Sequence, residues 1–255
     1  MHYNVSGSGI PIVLIHGFCE TSSIWNDLAK ELSEKYQVIS IDLPGFGKSP
    51  LYNPDLSLGN VATLLHDFLK KLQITNCFMI GHSLGGYITL AFAEKYSEML
   101  LGFGLFHSTT FADSEEKKET REKGIEHVEI HGMETFSKGF VPNLFYKANH
   151  SKFSDEMKTL KKIASETPIE TFVAYSRAMK NRNDTTKLLS GFKKPIFIVA
   201  GENDNAVPLF QSQQMIAKTG EENSLILSET GHMGFIEKKE ESFAFIQSFL
   251  TKNEI

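Results

Sequence analysis

Short, unbroken apolar runs alternate with longer segments of mixed polarity through the first hundred residues. The runs at 10–15, 37–41, 77–80 and 101–106 are rich in β-branched and aromatic side chains. They lack the alternation of a half-exposed sheet, which predicts strands buried on both faces. A shorter strand at 3–5 precedes them, ahead of the turn Ser6-Gly7-Ser8-Gly9. Between the runs the apolar period lengthens. Residues 22–35 open with Ser and Thr capping candidates and place Trp25, Leu28, Ala29 and Leu32 at i, i+3, i+4 and i+7, which predicts an amphipathic helix. A second helix over 57–72 carries Val61, Leu64, Leu65, Phe68 and Leu72 on one face, and a third follows at 84–96. The same rhythm returns near the C-terminus, with strands at 195–200 and 224–227 and helices at 207–218 and 238–250. Strands alternating with helices predict an α/β fold: a mostly parallel central sheet covered by helices on both faces, joined by right-handed crossovers. Functional loops then lie beyond the carboxyl ends of the strands.

The rhythm fails from 111 to 189. No buried-strand pattern occurs there, but charged, helix-forming runs do, at 113–123 and 155–163. This stretch reads as a helical insertion over 109–189, dividing a core made of 1–108 and 190–255. The charge run at 115–123 reads as a solvated helix face.

Composition narrows the function classes. With 26 Lys and Arg against 31 Asp and Glu among 255 residues, the formal charge is -5. That offers no basic surface for nucleic acid, and a small-molecule substrate is expected. No apolar run approaches the roughly 20 residues that span a bilayer, and Met1-His2-Tyr3-Asn4 does not start a secretion signal. A cytoplasmic protein with no membrane partner is therefore expected. Cys19 and Cys77 are too few for a disulfide framework or a zinc site. No phosphate loop, metal-ligand cluster or dinucleotide fingerprint is visible, so neither cofactor nor metal is expected. Oligomeric state stays open.

The candidate chemistry begins where the third long run stops, at Gly81-His82-Ser83-Leu84-Gly85-Gly86. A serine hydroxyl is a poor nucleophile unless it stands clear of its backbone, faces a base, and has fixed N–H donors for the oxyanion it creates. A sharp strand-to-helix turn does this, and the glycines leave room for it. Ser83 is the candidate nucleophile. A carboxylate and a base should follow at the same sheet edge: Asp204 lies in the loop after 195–200, and His232 in the loop after 224–227. His232 would take the Ser83 proton and Asp204 would fix its imidazole. Glu202, Asn203 and Asp113 remain alternatives for the acid. The N–H groups of Leu84 and Phe18 are the candidate oxyanion donors. His16 and His82 read as loop-orienting residues.

Five motifs in this order resemble the α/β-hydrolase fold superfamily, in its cap-bearing serine hydrolase branch. They are His16-Gly17-Phe18, residues 42–49, Gly81 to Gly86, residues 201–208 with Asp204, and Gly231-His232. The resemblance implies that 109–189 forms a lid. Only one short strand precedes residue 10, so the family's first edge strand is expected to be missing or truncated. Haloalkane dehalogenases and epoxide hydrolases place aspartate at the elbow; with Ser83 there, neither chemistry is expected. The implied activity is hydrolysis of a small carboxylic ester or lactone through an acyl-enzyme. Carbon–carbon hydrolase, thioesterase, perhydrolase, hydroxynitrile lyase and ligand-sensor readings stay open, because fold does not separate them. Cys19, His107, Phe136, Phe140, Leu144, Phe145 and Met233 are candidate pocket residues. Against that stand plainer readings, of Cys19 as a buried inert thiol, His107 as core, and the insertion phenylalanines as packing that holds the lid down.

Overall fold

The computed structural model describes residues 1–53 and 56–255. Seven strands form one sheet: β1 (Tyr3–Ser6), β2 (Pro11–Ile15), β3 (Gln37–Ile41), β4 (Cys77–His82), β5 (Leu100–Phe106), β6 (Ile196–Gly201) and β7 (Ser224–Leu227). Their order is β1-β3-β2-β4-β5-β6-β7, with β1 antiparallel to β3 and every other pair parallel. The mostly parallel sheet expected from the apolar runs is the observed one. One strand precedes β2, and it forms the sheet edge beside β3.

The reason the strands read as continuous apolar runs is visible in β2. Ile12 and Leu14 enter one core with Trp25, Phe78 and Phe197, while Val13 and Ile15 enter the other with Ile39, Leu65 and Ile88. Side chains alternate between the faces, and both faces are covered.

The covering helices are α1 (Asn26–Leu32), α2 (Leu58–Lys71), α3 (Leu84–Tyr96), α4 (Glu115–Phe140), α5 (Ser154–Ser165), α6 (Ile169–Lys180), α7 (Thr186–Gly191), α8 (Leu209–Thr219), α9 (Gly234–Glu237) and α10 (Lys239–Lys252). The helix expected over 22–35 starts instead as a 3-10 turn, Ser22–Trp25, N-capped by Thr21. In α2 the buried stripe is Leu58, Val61, Ala62, Leu65 and Leu69. Leu64, assigned to that stripe from its spacing, is 37% exposed. At 100° per residue it falls beside the stripe rather than within it.

Among the described residues no strand occurs between β5 and β6; α4 to α7 fill that interval. Helix α4 is far longer than its charged start suggested, and bends at Gly132, whose φ 75° and ψ 167° are not helical. The two ends of the segment are joined: Thr185 N donates to Thr110 O (2.8 Å), and Thr110 and Thr186 share a hydroxyl hydrogen bond (3.0 Å).

Candidate active site

Ser83 sits between β4 and α3 with φ 50° and ψ -115°, a strained conformation for a non-glycine residue. Its amide donates to Phe106 O (3.0 Å), and its carbonyl accepts from Gly86 N (2.9 Å) and Ser108 Oγ (2.8 Å). A Cβ at Gly81 would strike the backbone of Gly85 and Gly86, and one at Gly85 would strike the carbonyls of Ile15 and His16. The turn is this tight because α3 starts in contact with the end of β2. Gly81, His82 and Leu84 are buried, while Ser83 keeps partial exposure to a cavity.

Asp204 and His232 arrive from the ends of β6 and β7. Asp204 Oδ2 accepts from His232 Nδ1 at 2.7 Å, and Oδ1 accepts from the amides of Ala206 (2.8 Å) and Val207 (2.9 Å). Burial alone would push this carboxyl up, but His232 and His107 outweigh it and hold Asp204 well below the usual carboxylate range. The alternative acids are engaged elsewhere. Glu202 accepts from Glu229 N at 3.3 Å, and Asp113 pairs with Arg121 and Arg182. A Nδ1 proton directed at Asp204 leaves the lone pair of His232 on Nε2.

A second imidazole meets the same oxygen. His107, at the end of β5 with φ 47°, places Nδ1 3.1 Å from Asp204 Oδ2. Burial lowers its pKa to about 4 despite the carboxylate, so it is neutral at pH 7. Ligand atoms of His107, Asp204 and His232 lie within 4.8 Å of one another, the group among the described residues that could hold a metal ion. Both Nδ1 atoms already converge on one oxygen, and hydrogen bonding accounts for the cluster.

The loop after β2 carries the other expected donor. His16 accepts from Leu43 N at Nε2 (3.0 Å) and turns Nδ1 toward Gly17 O (2.7 Å). Burial lowers its pKa, so it is an uncharged strut between two loops. Glu20 Oε2 accepts from Gly17 N (2.6 Å) and His82 Nδ1 (2.9 Å), and His82 Nε2 lies 3.1 Å from the His232 carbonyl. Burial opposes charge on both, yet each outweighs it for the other: His82 is shifted up and Glu20 down. This buried pair ties the Phe18 loop, the elbow and the His232 loop together. Sequence reasoning missed Glu20. Its signal was faint, an acidic residue in a glycine-containing loop whose histidine partner lies 62 residues away. The Leu84 N–H heads α3 and has no partner within the helix.

A cavity of about 180 Å³ joins these pieces, with Ser83, His232 and Phe18 in its wall and Lys117, Arg121 and Phe140 of α4 across from them. Leu144 also lines it, and its carbonyl accepts from His232 N at 2.6 Å. A larger cavity, about 490 Å³ between α2, α3 and the end of α6, shares Tyr87 but contains none of Ser83, Asp204 and His232. Of the expected pocket residues Phe140 and Leu144 line the smaller cavity. His107 lies behind Asp204. Cys19 is buried, and its thiol pKa is pushed up by burial, which leaves it inert. Phe136 packs on Phe172 (ring centroids 4.7 Å apart), Phe145 is buried near Phe153, and Met233 is core. The run at 115–123 is not wholly solvated. Lys117 and Arg121, four residues apart, turn inward together, and that i, i+4 spacing from Asp113 was the available signal.

Residues 10–127 match the model of the α/β-hydrolase fold family. An uncharacterized protein of Mycobacterium tuberculosis is 35% identical over 98 residues, 38% of this chain, and the match spans 29% of that protein. The pimeloyl-[acyl-carrier protein] methyl ester esterase of Shewanella oneidensis is 25% identical over 99% of this chain and 95% of its own length. Among solved structures, a thermophilic esterase from Thermogutta terrifontis, malate bound, superposes with a TM-score of 0.93 at 26% identity, covering 100% of this chain and 94% of that one.

Proposed function

We propose that this chain, a member of the α/β-hydrolase superfamily, is a serine hydrolase that cleaves a small carboxylic ester or lactone through an acyl-enzyme. One observation carries the reading: the strained Ser83 and His232, whose Nδ1 is held by Asp204, open into the same cavity. Its likeness to an esterase from Thermogutta terrifontis over the full chain supports the ester class.

In this reading Ser83 Oγ attacks the ester carbonyl while His232 Nε2 takes its proton. The N–H groups of Leu84 and Phe18 receive the oxyanion. His232 then protonates the leaving alcohol, and water activated by the same nitrogen releases the acid. Asp204 stabilises the imidazolium without taking the proton. The helices α4 to α7 act as a cap: α4 supplies the far wall of the cavity, and Leu144 holds the His232 backbone.

The test uses p-nitrophenyl esters of graded acyl length with a fluorophosphonate probe. Turnover should stop on labelling, the label should map to Ser83, and Ser83→Ala should lose about 10⁴-fold or more in kcat while keeping its thermal transition. Undiminished turnover by Ser83→Ala sinks the proposal.

A further inference from the structure

We infer that the ester or lactone carries an anionic group, a carboxylate in the first instance, received by Lys117 with Arg121 beside it. The inference rests on the serine hydrolase reading and names the substrate class of that site.

The cap wall of the cavity is cationic. Lys117 Nζ donates to Ala206 O at 2.6 Å, and no carboxylate of the described residues pairs with it. An ammonium has three donors, so two remain for whatever fills the cavity. Arg121 is held against Asp113 by its Nε, and Asp113 also pairs with Arg182 Nη1 (2.7 Å). Two cations of the cap, Lys117 and Arg121, thus line the cavity, while the carboxylate of Asp113 that holds Arg121 is shared with Arg182, which lies outside it. On the opposite wall Glu20 is matched by His82, which leaves the excess charge on the cap side.

An apolar acyl chain filling this space would cover the Lys117 ammonium and leave its free donors without water or a partner. Burying an unpaired charge is strongly unfavourable. A carboxylate at the far end of the substrate would accept those donors as charge-assisted hydrogen bonds, with its own desolvation offset in the same contact. The ester carbonyl would remain at Ser83, and the chemistry there would be unchanged. Phe18, Phe140 and Leu144 supply apolar wall for the few carbons between the two ends.

Two pairs matched in acyl carbon count test this: p-nitrophenyl hemiglutarate against p-nitrophenyl pentanoate, and the hemisuccinate against the butyrate. The protein should prefer the hemiester by about tenfold or more in kcat/KM. Lys117→Gln should bring the ratio near one, and Lys117→Glu should invert it, with melting curves verifying that both variants fold. A ratio at or below one in the unmodified protein, with the neutral esters turned over, overturns the inference and leaves the esterase reading intact. Calorimetry of glutarate on Ser83→Ala gives a readout independent of turnover. Binding is expected, and Lys117→Gln in that background should abolish it. If neither ester is hydrolysed but Lys117-dependent glutarate binding persists, the anion site stands and the esterase reading falls; with neither turnover nor binding, both are overturned.

Discussion

At the scale of single residues, the site is a set of buried imidazoles with different charge states fixed by their neighbours. His107 is neutral because burial depresses its pKa from 6.5 to about 4. A base that binds its proton less readily when folded weakens folding wherever the unfolded chain is protonated and the folded one is not. His107 therefore adds no penalty above its ordinary pKa and a growing one as pH falls from about 6.5 to about 4. At about 1.4 kcal/mol per tenfold change in proton concentration, the penalty reaches about 3 kcal/mol. His107→Gln should thus lose less stability than the parent between pH 7 and pH 4.5, measured as urea midpoints at each pH; parallel curves would refute the assignment. His82 works in the opposite sense. Its pKa is raised by Glu20, so its contribution is fully present below the ordinary histidine value and is lost as pH rises through the raised one. Glu20, depressed, contributes above the ordinary glutamate value and is lost as pH falls through its own.

At the scale of elements, the bend in α4 decides what the cavity sees. Residues before Gly132 place Lys117 and Arg121 against the site, while residues after it bring Phe136 and Phe140 back onto Phe172 and Phe18. The φ and ψ of Gly132 belong to a region open almost only to glycine. Gly132→Ala has free space for its Cβ but not for its backbone. It should cost about 1–3 kcal/mol in chemical denaturation, and it should raise KM for esters more than it lowers kcat, because Phe140 shifts while Ser83 does not. A purely kcat defect would contradict this. The bend also explains part of what the sequence concealed. Runs such as β2 and β4 are legible because a strand covered on both faces is apolar at every position. In α4 the buried positions are sparse, Ile125, Val128, Met133 and Ser137, and a mid-helix glycine interrupts their period. A charged run reads the same whether its outer face or its inner one meets solvent, so Lys117 was legible as helix but not as site. The placement of Ser83, Asp204 and His232 at one edge of the sheet was legible because turn chemistry and strand ends locate them locally. Glu20 and the doubled imidazole on Asp204 depend on partners 62 and 97 residues away.

At the scale of the whole molecule, the segment between β5 and β6 is held at two places, one a brace within itself and one a tie to the core, and they lie toward opposite sides of the candidate site. One is Asp113, whose buried carboxylate holds Arg121 of α4 and Arg182 beyond α6, and whose pKa these guanidiniums depress in spite of burial. The other is the stretch after α4. There Leu144 O holds His232 N, and Glu237 accepts from Gly231 N (2.9 Å), Tyr146 N (3.0 Å) and Asn149 Nδ2 (2.8 Å). Loosening the first should release the cationic wall; loosening the second should disturb the His232 loop. Asp113→Asn keeps the shape but removes the charge, leaving two guanidiniums facing each other, and breaking a buried ionic cluster from one side costs about 3–5 kcal/mol. Native-state hydrogen exchange should then quicken first in α4 and α6, while β2, β4 and β5 keep their protection, since their hydrogen bonds lie within the sheet. Exchange accelerated equally in the strands would mean that the segment and the sheet unfold as one unit. The proposed cap would then be an integral layer of the core rather than a separable cover. Glu237→Gln supplies the contrasting perturbation, placed at the His232 loop: exchange should rise around 229–233 and 144–149 with α4 left protected, and ester turnover should fall through kcat rather than KM.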